Sequence, residues 1–218
     1  LCAFTADFPF EATDMKLYGS FTSPYVRKVR MVLLEKNLAH DLVVEGPADA
    51  AGNVVRLNPL RAIPVLERDD GEVFFDSPMI CEYIDSLNDK PRLYPASGEA
   101  RWQALRWHAL GQGTMEATVA RFVELRKPVE KQDAATVAKH EARIAAALAF
   151  AAERVPASGF ISGNATGIAD ITLAAALGYI DLRYVHDWRG RHPKLANWFA
   201  PISQRPSFVE TLAPELKK

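Results

Sequence analysis

Cysteine is almost missing from this chain: there are two in 218 residues, Cys2 and Cys81, and no Cys-x-x-Cys pair. That excludes a disulfide scaffold and a cysteine-based zinc module, and it fits a reducing, cytoplasmic setting. The five histidines show no metal-ligand spacing, so no metal site is expected. An excess of one charge is missing too. With a formal net charge of −1, nothing global draws the chain to nucleic acid or to an anionic membrane. No apolar run reaches the roughly 18 residues that a membrane-spanning helix needs. Leu1 to Asp14 lack the basic start and long apolar centre of a signal peptide. Met15-Lys16-Leu17-Tyr18 reads as a natural start that passes at once into a strand, so residues 1–14 are expected to be an extraneous extension. What is present is a 49% hydrophobic share with 24% charged residues, enough for one large domain or two of ordinary size.

The pattern changes character once along the chain. After the strand at Met15 to Tyr18, Val26, Val29, Val32, Leu33 and Lys36 recur at helical spacing, with Arg27, Lys28 and Arg30 on other faces. Leu42, Val43 and Val44 mark a short strand, and Asn53 to Asn58 a short helix stopped by Pro59. Val65-Leu66-Glu67 and Val73-Phe74-Phe75 read as a hairpin around Asp69-Asp70-Gly71. Ser77-Pro78 opens a further helix, in the same cap-plus-proline manner as Ser23-Pro24, with Ile80, Cys81, Ile84 and Leu87 on its core face. This order predicts a small α/β layer with a mixed sheet over residues 15–87. Residues 88–97, with two prolines, read as a linker. From residue 98 to 218 every strong signal is helical: Gly98 to Lys127, as one long helix or two in line, weakened midway by Gly111 and Gly113 with room for a bend there; Asp133 to Val155; an almost wholly apolar Ala169 to Tyr184; and shorter helices near Pro193 to Phe199 and Pro206 to Leu212.

Ser20-Phe21-Thr22-Ser23-Pro24 is the stretch with chemical promise. Ser23 stands where an N-cap belongs, and Pro24 at the first helical position. A hydroxyl at such a strand-to-helix turn lies beside unpaired backbone N–H groups and the positive end of a helix dipole, a place that favours an anion, including a thiolate. Taken alone, Ser-Pro at a helix start is an ordinary cap.

Three motifs change its weight: Ser23-Pro24-Tyr25-Val26-Arg27-Lys28, Asn58-Pro59-Leu60-Arg61-Ala62-Ile63-Pro64-Val65-Leu66, and Asp76-Ser77-Pro78-Met79-Ile80. With Gly167-Ile168-Ala169-Asp170-Ile171 in the second half, their order and spacing resemble a cytosolic, bacterial-type glutathione S-transferase over Met15 to about Leu212. The resemblance implies a thioredoxin-like N-terminal domain followed by an all-helical C-terminal domain (α/β plus all-α), glutathione as co-substrate, and conjugation of its sulfur to small electrophiles in detoxification. It also implies a role for each matched residue. Ser23 would donate to the glutathione sulfur, with Ser20 and Thr22 as competing hydroxyls and Thr22 lining the site. Ile63, before a cis Pro64, would pair with the cysteinyl backbone in strand fashion. Asp76 and Ser77 would receive the γ-glutamyl amine and carboxylate at a helix start. A serine at position 23 favours transfer over disulfide chemistry, since it forms no mixed disulfide.

Two places depart from the family pattern. Arg61-Ala62 stands where Gly-Lys or Gly-Gln is common, and Ala62 offers no long side chain to the peptide. Gly167 stands where the family usually caps its buried helix with Ser or Thr, leaving Asp170 to reach back to the backbone. His108 reads either as a ligand contact on the first long helix or as a packed or surface histidine; Arg183, His186, Arg189, Arg191 and His192 read as a solvated helix end; Cys81 reads as packed in its helix. A homodimer is expected from the family's assembly and from the apolar content of the long helices. The competing functional readings are a non-enzymatic regulatory module on the same fold, of the bacterial stress-protein type, and a glutathione-dependent isomerase or lyase.

Overall fold

The computed structural model describes residues 15–216; the expected extension at residues 1–14 lies outside them. The sheet has four strands in the order β2-β1-β3-β4: β1 Lys16–Gly19, β2 Asp41–Val44, β3 Val65–Glu67 and β4 Val73–Phe75. β1 and β2 are parallel, joined over α1 Pro24–Glu35; β3 runs antiparallel to β1, and β4 antiparallel to β3. The mixed sheet expected from the hairpin is therefore present. α2 Asn53–Leu57 and α3 Ser77–Ser86 complete this half. The central strands bury Leu17, Tyr18, Val65 and Leu66 almost completely.

α1 was expected to bury one face and buries two. Val26, Val29, Val32 and Leu33 are fully buried in the main core, as their spacing predicts. Arg27 and Lys28, which the spacing puts on other faces, are 5% and 0% exposed. The reason is tertiary: the helical half covers α1 from behind. Arg27 donates to the Phe208 carbonyl at 3.1 Å and to Thr211 Oγ1 at 3.4 Å, and its guanidinium lies 4.0 Å from the Phe208 ring centroid.

The second half is helical: α4 Gly98–Leu125, α5 Ala134–Arg154, α6 Ile168–Arg183, α7 Trp188–Arg191, α8 Pro193–Ile202 and α9 Pro206–Glu210. α6 is buried from Ile168 to Ile180, as a helix apolar on nearly every face must be. Gly111 and Gly113 do not interrupt α4. Gly111 is instead a place of close approach: a Cβ there would fall 2.9 Å from the Thr172 backbone of α6. At Gly167 a Cβ would come within 2.4 Å of Ser162 Oγ, so the departure to glycine is what the packing at this cap requires. Asp170 accepts from the backbone of Gly167, Ile161 and Ser162 at 3.1, 2.7 and 3.2 Å, and its role is to hold the loop onto the helix start.

Residues 88–97 contain no helix or strand, yet they are held by a buried ion pair. Lys36 Nζ lies 2.9 Å from Asp85 Oδ1 and also donates to the carbonyls of Asn88 and Pro91; Asp85 in turn accepts from the backbone of Leu93 and Tyr94. Leu93 then accepts from Ile168 N at 3.1 Å, passing the connection to α6. Removing one member of such a buried pair costs about 3–5 kcal/mol, because the other is left charged and unpaired.

Candidate glutathione site

The sheet register gathers the expected site residues. Tyr18 pairs with Val65, and Val65 with Phe75. The residues just beyond these partners therefore meet at one end of the sheet: the turn after Gly19, the Ile63-Pro64 step and the Asp76-Ser77 start of α3.

The first of these is the β1–α1 turn. Ser23 is the N-cap of α1, in extended backbone, with Pro24 at the first helical position. Its Oγ accepts from Val26 N at 3.4 Å, a long bond, and donates to none of the described residues. Its side chain is nearly covered, at 9% exposure. Ser20 and Thr22 lie in the same turn, both half-buried, and the Ser20 carbonyl accepts from Ser23 N at 3.3 Å.

At the second element, the Ile63-Pro64 peptide is cis, and Ile63 lies outside the ladder, whose register begins at Val65. Asn58 shapes the approach: it donates to the Ala62 carbonyl at 2.8 Å and accepts from Leu60 N at 2.9 Å. Arg61 is exposed and left-handed, with φ of 50°, a conformation that favours glycine; this accounts for the family's usual residue there and costs Arg61 about 1 kcal/mol.

At the third element the sequence reading needs correction. Ser77 is not a cap like Ser23 but the first residue of α3, and Asp76 is the N-cap, with φ of 65°. Asp76 makes no capping hydrogen bond with its side chain and is exposed. Ser77 is 1% exposed, and its Oγ is buried without a hydrogen-bond partner. A helix start with unpaired N–H groups, a free carboxylate beside it and a buried hydroxyl without a partner is suited to a zwitterionic amino-acid end. The family resemblance gives such an end, the γ-glutamyl group, to these two residues.

Behind the site lies a polar chain that sequence reasoning missed. Lys28 Nζ lies 2.8 Å from Gln112 Oε1 and 3.0 Å from His108 Nε2, and His108 Nδ1 lies 3.2 Å from the Tyr94 hydroxyl. Burial, and then the Lys28 cation, hold the His108 imidazole down to about 3. It is therefore neutral, accepts from Lys28 and donates to Tyr94. With both nitrogens engaged and 4% exposure, His108 is the packed histidine of the two readings, tying α1 to α4. Cys81 is wholly buried on α3 and burial pushes its thiol up to about 11, so it packs rather than reacts.

Comparison with known proteins agrees with this geometry. The N-terminal domain of glutathione S-transferases matches residues 17–92, and the C-terminal domain of the same family matches residues 134–200. An uncharacterised GST-like protein of Escherichia coli (strain K12), YibF, is 33% identical over 202 residues, covering 92% of this chain and 100% of its own. A glutathione S-transferase from Methylobacillus flagellatus KT, solved with glutathione bound, is 37% identical with a TM-score of 0.87, over 91% of this chain and 99% of that one. A glutathione transferase family member from Pseudomonas fluorescens Pf-5, solved with S-(propanoic acid)-glutathione, is 35% identical with a TM-score of 0.81, over 92% of this chain and 100% of that one. Two family domains in their proper order, on a fold that ends its sheet in these three elements, leave one conclusion: the chain belongs to the glutathione S-transferase family.

Proposed function

We propose that this protein is a glutathione transferase, which binds glutathione across residues 15–87 and activates its thiol for conjugation to a small electrophile received largely by the helices of residues 98–218. The observation that carries the reading is the Ser23 hydroxyl, which accepts one long bond and keeps its own proton undonated among the described residues. That proton is available to a sulfur at the start of α1. A free thiol titrates near pH 8.5, and lowering this by about two units requires about 2.7 kcal/mol of preference for the thiolate. One hydrogen bond to a charged group, worth about 1.5–3 kcal/mol, together with the helix N-terminus can supply it.

Asp76 would take the γ-glutamyl ammonium and Ser77 with the α3 N–H groups its carboxylate, while Ile63, set before Pro64, would pair with the cysteinyl backbone and Thr22 would line the sulfur's side. The sulfur bonds to the electrophilic carbon, the bond to the leaving group breaks with its electron pair on that group (chloride, for chlorodinitrobenzene), and the thiol's proton passes to solvent. The relative that holds glutathione already substituted on sulfur supports a site able to accept a conjugate. The reading includes a cytoplasmic location, a detoxifying role and pairing with a second copy. Pairing is supported by Met79, 47% exposed on the lining of an open cavity of about 550 Å³ between α3 and α4, and by Trp102 on α4, 65% exposed. A monomeric mass at micromolar concentration would overturn it.

The direct test is retention on immobilised glutathione, elution by free glutathione, and conjugation of chlorodinitrobenzene. Retention and turnover are expected. Retention with no turnover of any electrophile would favour a docking module, and no retention would remove the glutathione reading itself.

A further inference from the structure

The arginines at the C-terminal ends of α4 and α6 and on α7 are unequally neutralised. Arg121 donates to Glu141 at 2.7 Å, and Arg189 forks onto Asp181 at 2.7 and 2.8 Å. Arg126 and Arg183 have no ion-pair partner among the described residues. Both lie against the same ring, with guanidinium carbons 5.7 and 4.4 Å from the Phe122 centroid. The Nε of Arg183 is buried without a hydrogen-bond partner. Neither arginine is neutralised by a carboxylate among the described residues, so an anion bound here would supply the missing charge. The sequence alone gave this stretch as a solvated helix end. Arg189 fits that description, and Arg183 does not.

The cluster adjoins the candidate site. Arg183 is the last residue of α6, one turn beyond Tyr179, and its charge is near enough to favour the ionised form of that phenol. α6 abuts α1 one residue earlier: a Cβ on Gly178 would fall 2.4 Å from Arg27 Nη1. Tyr25, two residues after Ser23, has its phenol raised by burial, and Glu116, Tyr179 and Asp76 are near enough to add to the effect. Tyr179 and Tyr25 thus lead from Arg183 to the turn that holds Ser23. Glu116, the carboxylate on this side of α4, lies 3.3 Å from Gln112 Nε2 and pairs with neither arginine.

We propose that Arg183, assisted by Arg126, forms the anion-binding end of the acceptor site, so that the enzyme prefers electrophiles bearing a carboxylate over neutral ones of the same shape. This rests on the transferase reading given above. The carboxylate takes no part in the bond changes. For an aryl chloride such as chlorodinitrobenzoate, the thiolate sulfur bonds to the chlorine-bearing carbon. The carbon–chlorine bond breaks with its electron pair on chloride, and the thiol's proton has gone to solvent. The arginines hold the far end of the ring while Phe122 supplies an apolar wall.

Binding of conjugates tests the proposal without depending on turnover. Calorimetry would compare S-benzylglutathione with its para-carboxybenzyl counterpart on the wild type, Arg183→Met, Arg183→Lys, the Arg183→Met/Arg126→Met double variant and Arg189→Met. The wild type is expected to bind the carboxylated ligand about 10-fold more tightly, the lower end of what a hydrogen bond to a charge provides. Arg183→Met should remove most of this preference while leaving S-benzylglutathione within about 2-fold, Arg183→Lys should restore part of it, and Arg189→Met should leave it intact. Equal affinity of the wild type for the two ligands overturns the proposal, and so does a preference that survives in the double variant or a loss of both ligands in Arg183→Met that Arg183→Lys does not repair. If the wild type binds neither ligand, the glutathione reading has failed and this proposal falls with it.

Discussion

Two helices in this protein begin with the same dipeptide, Ser-Pro, and the serines have opposite surroundings. Ser23 stands before α1 as its N-cap and accepts from Val26 N. Ser77 stands one position further in, as the first residue of α3, and its hydroxyl is buried with no partner. The shift follows from Asp76, whose left-handed backbone takes the capping position without using its carboxylate to cap. One hydroxyl thus supports its helix and keeps a proton in reserve; the other contributes nothing to its helix and is buried at a cost, which a bound carboxylate would offset. A local motif fixes where a hydroxyl stands in the chain, and one residue of offset decides what it can do.

The comparison breaks most sharply in turnover. Ser23→Ala should lower conjugation by about 10- to 150-fold, the value of one hydrogen bond to a charge, while the dissociation constant of glutathione changes little. Ser77→Ala should do the reverse: affinity, followed by calorimetry, falls about 10-fold and turnover at saturation stays near wild type. The ligand-free protein should rank the two in the same direction for a different reason. Ser23→Ala removes a cap and should cost about 0.5–2 kcal/mol in urea unfolding. Ser77→Ala removes a buried hydroxyl that has no partner and should cost nothing or stabilise. The smallest effects are expected at Ser20→Ala and Thr22→Ala, within about 2-fold in turnover. If Thr22→Ala abolishes conjugation and Ser23→Ala does not, the sulfur's donor is Thr22.

The fold was legible wherever an element buries one face. β3 and β4 occupy the residues their apolar runs predict, and α5 starts after Asp133, whose side chain accepts from Ala135 N. Periodicity misjudged α1, because Arg27 and Lys28 are buried by helices distant in sequence, and no spacing rule sees a second layer. The close approach at Gly111 escaped it for a related reason: a glycine that weakens an isolated helix is here what lets α4 approach α6. The short α7, Trp188–Arg191, carries too few residues for a pattern and went unread. At the site, Ser23, Ile63-Pro64, Asp76 and Ser77 were named from the sequence through the family motifs. Their meeting at one sheet end is a consequence of register, which fixes which residue stands opposite which. The distinction between Ser23 and Ser77 was not legible, since it depends on the backbone angle of Asp76. Nor was the lack of a carboxylate partner for Arg183 among the described residues, since sequence spacing does not say which arginine each nearby carboxylate meets.

The most direct test of the central claim is the ionisation of enzyme-bound glutathione, followed by thiolate absorbance across pH in the wild type and in Ser23→Ala. A hydroxyl that donates to the sulfur favours the charged form, so the bound thiol should titrate about two units below the free value near 8.5, with conjugation falling as pH drops through that midpoint. In Ser23→Ala the midpoint should move up by about one unit or more, and the fall in turnover should move with it. A midpoint that is the same in both proteins, with glutathione bound by each, would contradict the account and leave Ser23 as the cap of its helix alone.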